Sequence, residues 1–160
     1  MNESKSFHFH ATVTWTGNLG SGTSDYSAYA RDHIISGAGK PDIAGSSDPA
    51  FRGDAARHTP EDLLVSALSA CHMLWYLHLA SDAGLHVMAY RDHAHGIMTI
   101  EPGSTGTGRF SSIHLQPAVT LPQGSDIARA RRLHEAAHTR CFIANSVNFP
   151  VRCEPTFELL

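Results

Sequence analysis

The chain has 160 residues, a net charge of -3 and a hydrophobic content of 42%. These values fit one globular domain over residues 1–160, and without a basic cluster we expect neither nucleic acid nor a membrane as a partner. Three cysteines are too few and too far apart for a disulfide scaffold, which leaves thiols kept for chemistry or simply buried. The first ten residues contain no apolar signal core, so we expect a cytoplasmic protein.

The N-terminal part of the chain predicts a β-hairpin followed by a long loop. Phe7–Trp15 is rich in aromatic and β-branched residues, and Tyr26–Ile35 is predicted to form the second strand of the hairpin. The run from Ser36 to His58 is dense in glycine, proline, serine and aspartate. We expect a loop of about twenty residues there, and loops of this length in compact domains are usually functional or disordered.

A long helix is predicted to begin after Thr59. This residue is a suitable N-cap, Pro60 occupies the first helical position, and Glu61 places negative charge at the positive end of the helix dipole. Apolar residues lie on nearly every face from Leu63 to Ala80, and Gly84 ends the helix. We favour a helix buried on all sides over a membrane span, because it contains serines and histidines and lacks flanking basic residues.

Two further strands and a second helix complete the predicted α+β pattern. Residues 85–100 and 109–121 are predicted strands, joined by the glycine-rich turn Pro102–Gly108. The second helix starts at about Ser125, the predicted N-cap, and carries an apolar stripe through Ile127, Ala130, Leu133 and Ala137. The last ten residues predict a closing strand that contains Cys153.

Three segments carry a more specific pattern. In TPEDLLVSALSACHM, Cys71 follows Glu61 by ten residues; the second helix leads into RCFIANSV; and the N-terminal strand ends in TWTGN. Together they resemble the OsmC/Ohr family of thiol-dependent hydroperoxide reductases. The resemblance implies an OsmC-like α+β fold in which antiparallel sheets flank two long central helices, in an intertwined homodimer.

The resemblance also implies a reaction and its residues. Cys71 would be the peroxidatic thiol and Cys141 the resolving thiol, so that organic hydroperoxides are reduced through a Cys71 sulfenic acid and a Cys71–Cys141 disulfide. Glu61 and an arginine of the long loop would complete the site; Arg52 is the candidate, with Arg57 as the alternative. The first hairpin loop contains no arginine, which matches the OsmC side of the family. A dithiol or a lipoylated protein is implied as reductant, with no cofactor and a role in the stress response.

The chemistry requires a cation near Cys71. A thiolate attacks the O–O bond, whereas an apolar helix favours the unreactive thiol. A guanidinium can hold the Glu61 carboxylate on one edge and meet the sulfur on the other. We expect apolar walls that favour alkyl hydroperoxides, formed by Leu68, Met73, Leu74 and Trp75.

The spacing of Glu61 and Cys71 predicts a dimer with shared sites. Ten helical residues separate these side chains by about 15 Å of rise and place them on different faces. They therefore cannot share a site within one chain without a very long bridge. Two helices packed antiparallel across a two-fold axis near Ser66 would bring Glu61 of one subunit level with Cys71 of the other, provided that Glu61 is catalytic.

Simpler interpretations of these residues stay open. Cys71 could be a small apolar core residue, Glu61 could serve only the helix dipole, and Arg52 could be a solvated loop arginine. His72 could tune the thiolate or have a structural role. Cys153 is expected to be a packing residue.

Two other functions are also open. Twelve histidines suggest a metal-binding protein, and His8 with His10, or His93 with His95, could form half a zinc site on one strand face. We identified no close cysteine–histidine cluster, so we expect scattered surface histidines and no metal ligands. The third possibility is a non-catalytic protein that holds a small apolar ligand between its sheets.

Overall fold

The computed structural model describes residues 4–103 and 106–160. It has the predicted mixed α+β composition, with nine strands and two α-helices within these ranges. The chain divides into two compact units, Met1–Leu63 and Leu64–Leu160.

The first unit contains a three-stranded antiparallel sheet. β1 (Thr12–Trp15) pairs with β2 (His33–Ser36), and β2 pairs with β3 (Ile43–Gly45). The predicted hairpin pairing is confirmed, but both strands are shorter than predicted. The predicted second strand begins later because the chain turns at Tyr26. The Arg31 guanidinium lies over the Tyr26 ring at 4.2 Å and donates to the Tyr26 carbonyl at 2.8 Å.

The segment predicted as a loop between Ser36 and His58 contains regular structure. It includes β3 and a short 3-10 helix, Pro49–Phe51, whose N-cap Asp48 accepts a hydrogen bond from the Ala50 amide at 2.7 Å. The prediction of a structureless loop was wrong because turn-forming residues surround a strand of only three residues. Arg52 follows the 3-10 helix and has a φ of 66°, the only positive φ of a non-glycine residue in the described part of the chain.

The first helix, α1 (Pro60–Asp82), begins and ends where the sequence predicts. The Asp62 amide donates to Thr59 Oγ1 at 3.1 Å, and the Thr59 amide donates to Asp62 Oδ2 at 3.0 Å. This reciprocal cap satisfies two backbone donors at the helix start. Gly84 adopts a φ of 66°, and the Leu85 amide donates to the Ala80 carbonyl at 2.8 Å, which closes the C-terminus.

The prediction that α1 is buried on every face was wrong for the single chain. Five of its side chains are buried, whereas Leu74 is 63% exposed. In the described residues, α1 is the one helix whose length and composition would allow it to cross a membrane. In its apolar stretch of 18 residues, 28% is buried. The buried side chains are Leu68, His72, Tyr76, Leu79 and Ala80.

The second unit contains two three-stranded sheets. Their strands, in spatial order, are β4 (Ala89–Asp92), β7 (Pro117–Leu121) and β9 (Thr156–Leu159) in one sheet, and β5 (His95–Ile100), β6 (Gly108–Leu115) and β8 (Val151–Cys153) in the other. The prediction of antiparallel sheets was wrong for part of each sheet. β6 pairs with β8, and β7 pairs with β9, in parallel. The predicted turn Pro102–Gly108 includes Ser104 and Thr105, which lie outside the described residues.

Each of the three C-terminal stretches predicted as one strand is divided into two strands of different sheets. At one division the Gln116 amide leaves the ladder and donates to Asp92 Oδ1 at 2.7 Å. Pro117 follows at once and has no amide hydrogen, so the sheet that contains β6 cannot continue through it. Pro155 lies between β8 and β9 in the same way. Prolines and one side-chain acceptor therefore account for the change of sheet.

The second helix, α2 (Ile127–Arg140), has 14 residues against 23 in α1, so only one helix is long. Its N-cap is Asp126, which accepts from the Arg129 amide at 2.9 Å, and not the predicted Ser125. Ala130 and Ala137 of the predicted stripe are buried. The hydrophobic core of the second unit has two clusters: one around Tyr76, Leu79, Val119, Leu121 and Ala130, and one around Leu68, Ile113 and Leu115.

Candidate functional site

The second unit brings Cys71 and Cys141 together. Cys71 lies in the middle of α1 and is half-buried, whereas Cys141 immediately follows α2 and is 1% exposed. Both are free thiols, and they lie close enough for Cys71 to affect the pKa of Cys141. The Ala144 amide also donates to Cys141 Sγ at 3.4 Å, which holds this thiol at the helix end.

The surroundings of Cys141 keep it protonated. Burial, together with the hydrogen bond to Cys71, raises the pKa of Cys141 to about 11. The thiol is therefore the stable form of Cys141 at neutral pH.

An open apolar cavity of about 290 Å³ adjoins Cys71. The predicted walls Leu74 and Trp75 are confirmed, because both line it. The prediction was wrong for Leu68, which is buried in the core with Ile113, and Met73 is not among the lining residues. His78 and Phe142 complete the lining, and the Phe142 ring meets Trp75 edge-on at 5.5 Å.

The two candidate arginines differ in their surroundings within the first unit. Arg57 Nε lies 3.4 Å from Asp32 Oδ2 and 3.5 Å from Asp54 Oδ2, so its charge is already paired. Arg52 is exposed and forms no ion pair within the described residues. Hydrogen bonds from Ser27, aided more weakly by the Arg52 charge, lower the pKa of Asp25. Arg52 is thus the freer of the two guanidinium groups.

Glu61 has no part in the cap of α1. Asp62 makes the reciprocal hydrogen bonds with Thr59, and across the described ranges no hydrogen bond or ion pair is found for the Glu61 side chain. Because α1 is continuous, the rise of about 15 Å between Glu61 and Cys71 holds.

A second cluster, which the sequence analysis missed, lies one residue along α1. His72 Nε2 is 2.9 Å from His134 Nδ1, and Cys153 Sγ is 3.4 Å from His72 Nε2 and 3.9 Å from His134 Nδ1. The expectation that only scattered surface histidines are present was therefore wrong. Cys153 also packs against the core as predicted, but its thiol contacts two imidazoles.

The histidines proposed as half a zinc site do not form one in the structure. His8 and His10 are exposed and precede β1, so no strand face aligns them. His93 is exposed between two strands, and His95 pairs with His114 across β5 and β6, with ring centroids 5.0 Å apart.

A sequence signal for the missed cluster was present. Residues 134–138 read His-Glu-Ala-Ala-His, an H-E-x-x-H pattern, which on a helix places its two histidines on one face. In α2, His134 is buried and His138 is exposed, and both line one cleft of the second unit. Recognising this pattern would have drawn attention to His134. No such signal marks His72 or Cys153.

The fold and sequence have clear relatives. The family model for OsmC-like proteins matches residues 53–156. The structure of an OsmC-like protein of unknown function from Vibrio cholerae matches this chain with a TM-score of 0.84 and 31% sequence identity. The match covers 94% of this chain and 100% of that one. No curated protein sequence matches significantly.

Two more distant structures share the fold. An organic hydroperoxide resistance protein from Elizabethkingia anophelis has a TM-score of 0.70 at 16% identity, with coverage of 99% of this chain and 100% of that one. The organic hydroperoxide resistance protein OhrB of Bacillus subtilis has a TM-score of 0.63 at 20% identity, with coverage of 92% and 98%. The family match extends over well more than half of the chain, and the Vibrio structure agrees with it over nearly the whole length. The chain belongs to the OsmC/Ohr family.

Proposed function

We propose that this protein is a cysteine-based peroxidase that reduces organic hydroperoxides with Cys71 and Cys141. The observation that carries the proposal is the closeness of these two thiols, one of which, Cys71, lines an apolar cavity. A disulfide between them would require their Cα atoms to come within about 7 Å of each other. The names of the Elizabethkingia and Bacillus structures support the substrate class.

The proposed reaction has three steps. The Cys71 thiolate attacks the terminal oxygen of ROOH, the O–O bond breaks, and the alkoxide takes a proton and leaves as ROH. Cys141 then condenses with the Cys71 sulfenic acid, forming the disulfide and releasing water. A dithiol finally reduces the disulfide and is itself oxidised, so that one ROOH and two thiols give ROH, water and one disulfide.

The cavity favours an alkyl hydroperoxide over hydrogen peroxide. Its lining beside Cys71 consists mainly of Leu74, Trp75 and Phe142, which offer no charged group to a substrate. An apolar substituent that enters this cavity removes hydrocarbon surface from water, a gain that hydrogen peroxide cannot make.

We further propose that Arg52 and Glu61 activate Cys71. Arg52 is preferred over Arg57 because the charge of Arg57 is paired with Asp32 and Asp54. The left-handed φ of Arg52 is a conformation that residues other than glycine rarely adopt, and such conformations concentrate at functional sites. Glu61, which has no capping role, is available to orient the guanidinium.

The active form in this proposal is an intertwined homodimer in which Glu61 and Arg52 of one subunit serve Cys71 of the other. Support comes from the spacing on α1 and from exposed apolar side chains. Leu74 is 63% and Phe142 68% exposed, and Val13, Ile97 and Met98 are also exposed. Such surface commonly marks a protein interface. In each subunit, residues 1–160 would form one domain, since the family match crosses the boundary between the two units.

The physiological setting follows from the same chemistry. A small dithiol or a lipoylated protein would regenerate the thiols, which requires a reducing compartment such as the cytoplasm. The expected role is defence against organic peroxides during stress.

Steady-state turnover tests this function. Purified protein is supplied with dihydrolipoamide and either cumene hydroperoxide or hydrogen peroxide, and peroxide loss is followed over time. We expect sustained consumption that is faster with cumene hydroperoxide, and none in a matched Cys71→Ser variant. Equal loss in the presence and absence of the wild-type protein would contradict the proposal.

A further inference from the structure

We propose that His72, His134 and Cys153 form a binding site for a borderline-soft divalent metal ion, with Zn²⁺ as the first candidate. The three side chains come from α1, α2 and β8, and their ligand atoms all lie within 4.8 Å of one another. The site is separate from the Cys71–Cys141 pair and does not depend on the proposed peroxidase activity.

The distances suit a tetrahedral ion. Zinc binds imidazole nitrogen at about 2.0–2.1 Å and thiolate sulfur at about 2.3 Å, so neighbouring donor atoms lie about 3.3–3.6 Å apart. The observed separations are 2.9, 3.4 and 3.9 Å. Binding therefore requires the two imidazole nitrogens to open by about 0.4 Å and the thiol to close on His134 by about as much.

The two imidazoles are arranged edge to edge and not face to face. Their planes are 9° from parallel, yet their centroids are 5.3 Å apart while two ring nitrogens approach to 2.9 Å. This is the geometry of an N–H···N hydrogen bond in the ring plane. For both inner nitrogens to bind one tetrahedral ion beside Cys153, each ring must turn by about 35°, and the proton of this hydrogen bond must move to an outer nitrogen.

Packing alone does not explain this polar group in the core. His72 is 1% and His134 2% exposed, and their outer nitrogens, His72 Nδ1 and His134 Nε2, are buried without a hydrogen-bond partner in the described residues. A pair of apolar side chains would fill the same volume without that cost. Imidazole nitrogen and thiolate sulfur are, by contrast, donor atoms that zinc and copper ions take in proteins.

Binding would release a proton. The thiolate is the metal ligand, so an ion that binds must displace the Cys153 thiol proton, and one proton is released for each ion.

A polar cleft offers a route from solvent and a fourth coordination position. A cavity of about 460 Å³ reaches His134 and Cys153 and is also lined by Arg131, Glu135 and His138. His138 lies one helical turn from His134 and faces the same cleft. Three protein ligands with a fourth position open to the cleft is the arrangement of catalytic and exchangeable zinc sites.

Metal titration of the intact protein tests the site. Zn²⁺ is titrated against a chromophoric chelator, with thiols kept reduced by a phosphine. We expect one Zn²⁺ per chain in the wild type and in a Cys71→Ser/Cys141→Ser variant. We expect affinity to fall about 100-fold or more in Cys153→Ser and His134→Gln, with circular dichroism used to check that each is folded. His86→Ala, which changes an exposed histidine, is the matched control.

Cobalt provides a spectroscopic readout of whether a thiolate binds the ion. Co²⁺ bound to the wild type and to the Cys71→Ser/Cys141→Ser variant should give a thiolate-to-cobalt charge-transfer band in the near ultraviolet, which Cys153→Ser lacks. The proposal is overturned if the wild type binds no Zn²⁺ at micromolar concentrations. It is equally overturned if binding and the band persist in Cys153→Ser but disappear in the Cys71→Ser/Cys141→Ser variant, because the ion would then lie at the other thiols.

Discussion

The two thiol clusters of the second unit begin at consecutive residues of α1. Cys71 contacts another thiol beside an apolar cavity, whereas the next residue, His72, joins His134 and Cys153 beside a polar cleft. Side chains of consecutive residues in an α-helix point about 100° apart, so Cys71 and His72 face different surroundings. We therefore propose different chemistry for the two clusters on the basis of their partners, a thiol for Cys71 and two imidazoles for Cys153.

The largest expected difference between the two clusters is in peroxide turnover. Cys71→Ser should reduce the rate of cumene hydroperoxide consumption by about a thousandfold or more, because serine cannot supply a thiolate. Cys153→Ser should stay within about twofold of the wild type, since its sulfur is paired with imidazoles outside the redox pair. Initial rates with a dithiol reductant measure both. A large loss of peroxide consumption in Cys153→Ser would show that both clusters belong to one active site.

Removal of the second thiol should separate oxidation from turnover. In Cys141→Ser, the first oxidation of Cys71 should stay rapid, while steady-state turnover is lost because no internal thiol can resolve the sulfenic acid. Stopped-flow mixing with one equivalent of peroxide, followed by trapping with dimedone, measures the first step. Sustained turnover of Cys141→Ser at the wild-type rate would assign resolution to another thiol.

The arginines provide a third contrast, expected to be about tenfold to a hundredfold. Arg52→Ala and Arg52→Lys should both slow the oxidation step, because an ammonium cannot present a fork to Glu61 and the sulfur together. Arg57→Ala should leave that step within about twofold and lower the free energy of unfolding by less than about 1 kcal/mol, through its lost ion pairs. Single-turnover oxidation and urea denaturation are the measurements. The reverse ranking would move the role to Arg57.

A mixed dimer tests whether the site is shared. Glu61→Ala and Cys71→Ser subunits are co-expressed with different tags, because an intertwined dimer should exchange slowly. One site then carries both changes and the other carries neither, so the heterodimer should recover up to about half of the wild-type activity. A doubly substituted homodimer is the control. If the protein is monomeric, or the heterodimer is inactive, Glu61 is only an acid at a helix start.

The smallest expected effect concerns the pKa of Cys141, which is about 11. Because the raised pKa keeps the thiol protonated, alkylation of Cys141 by iodoacetamide should be slow at pH 7 and rise about tenfold per pH unit until the pH approaches that value. Replacing Cys71 with Ala removes one of the causes of the shift, so alkylation at a fixed pH should become faster. Mass spectrometry of timed samples measures both rates. An unchanged rate in Cys71→Ala would show that the hydrogen bond has no effect on Cys141.

Local signals predicted the helices better than the sheets. Thr59, Pro60 and Gly84 marked α1 closely because caps act through neighbouring residues. The strands were divided incorrectly because the change of sheet at Asp92 and Pro117 depends on a hydrogen bond between residues 24 positions apart. The burial of α1 was overestimated, since an apolar pattern does not say whether a helix is covered by its own chain.

The two clusters were predictable to different extents for the same reason. Cys71 and Cys141 followed from a family resemblance that fixes spacing on each helix. The second cluster joins His72 to Cys153, which lie 81 positions apart, and only the tertiary fold brings them together. His134 was the one member with a local pattern, and the sequence analysis overlooked it.

Mapping the disulfide after a single turnover tests the central claim most directly. Reduced wild-type protein is mixed with one equivalent of cumene hydroperoxide, quenched with an alkylating agent and digested without reductant. The account predicts one Cys71–Cys141 disulfide per peroxide consumed, formed within one chain, with Cys153 recovered as an alkylated thiol. A disulfide that contains Cys153, or loss of peroxide with Cys71 and Cys141 both recovered as thiols, would contradict it.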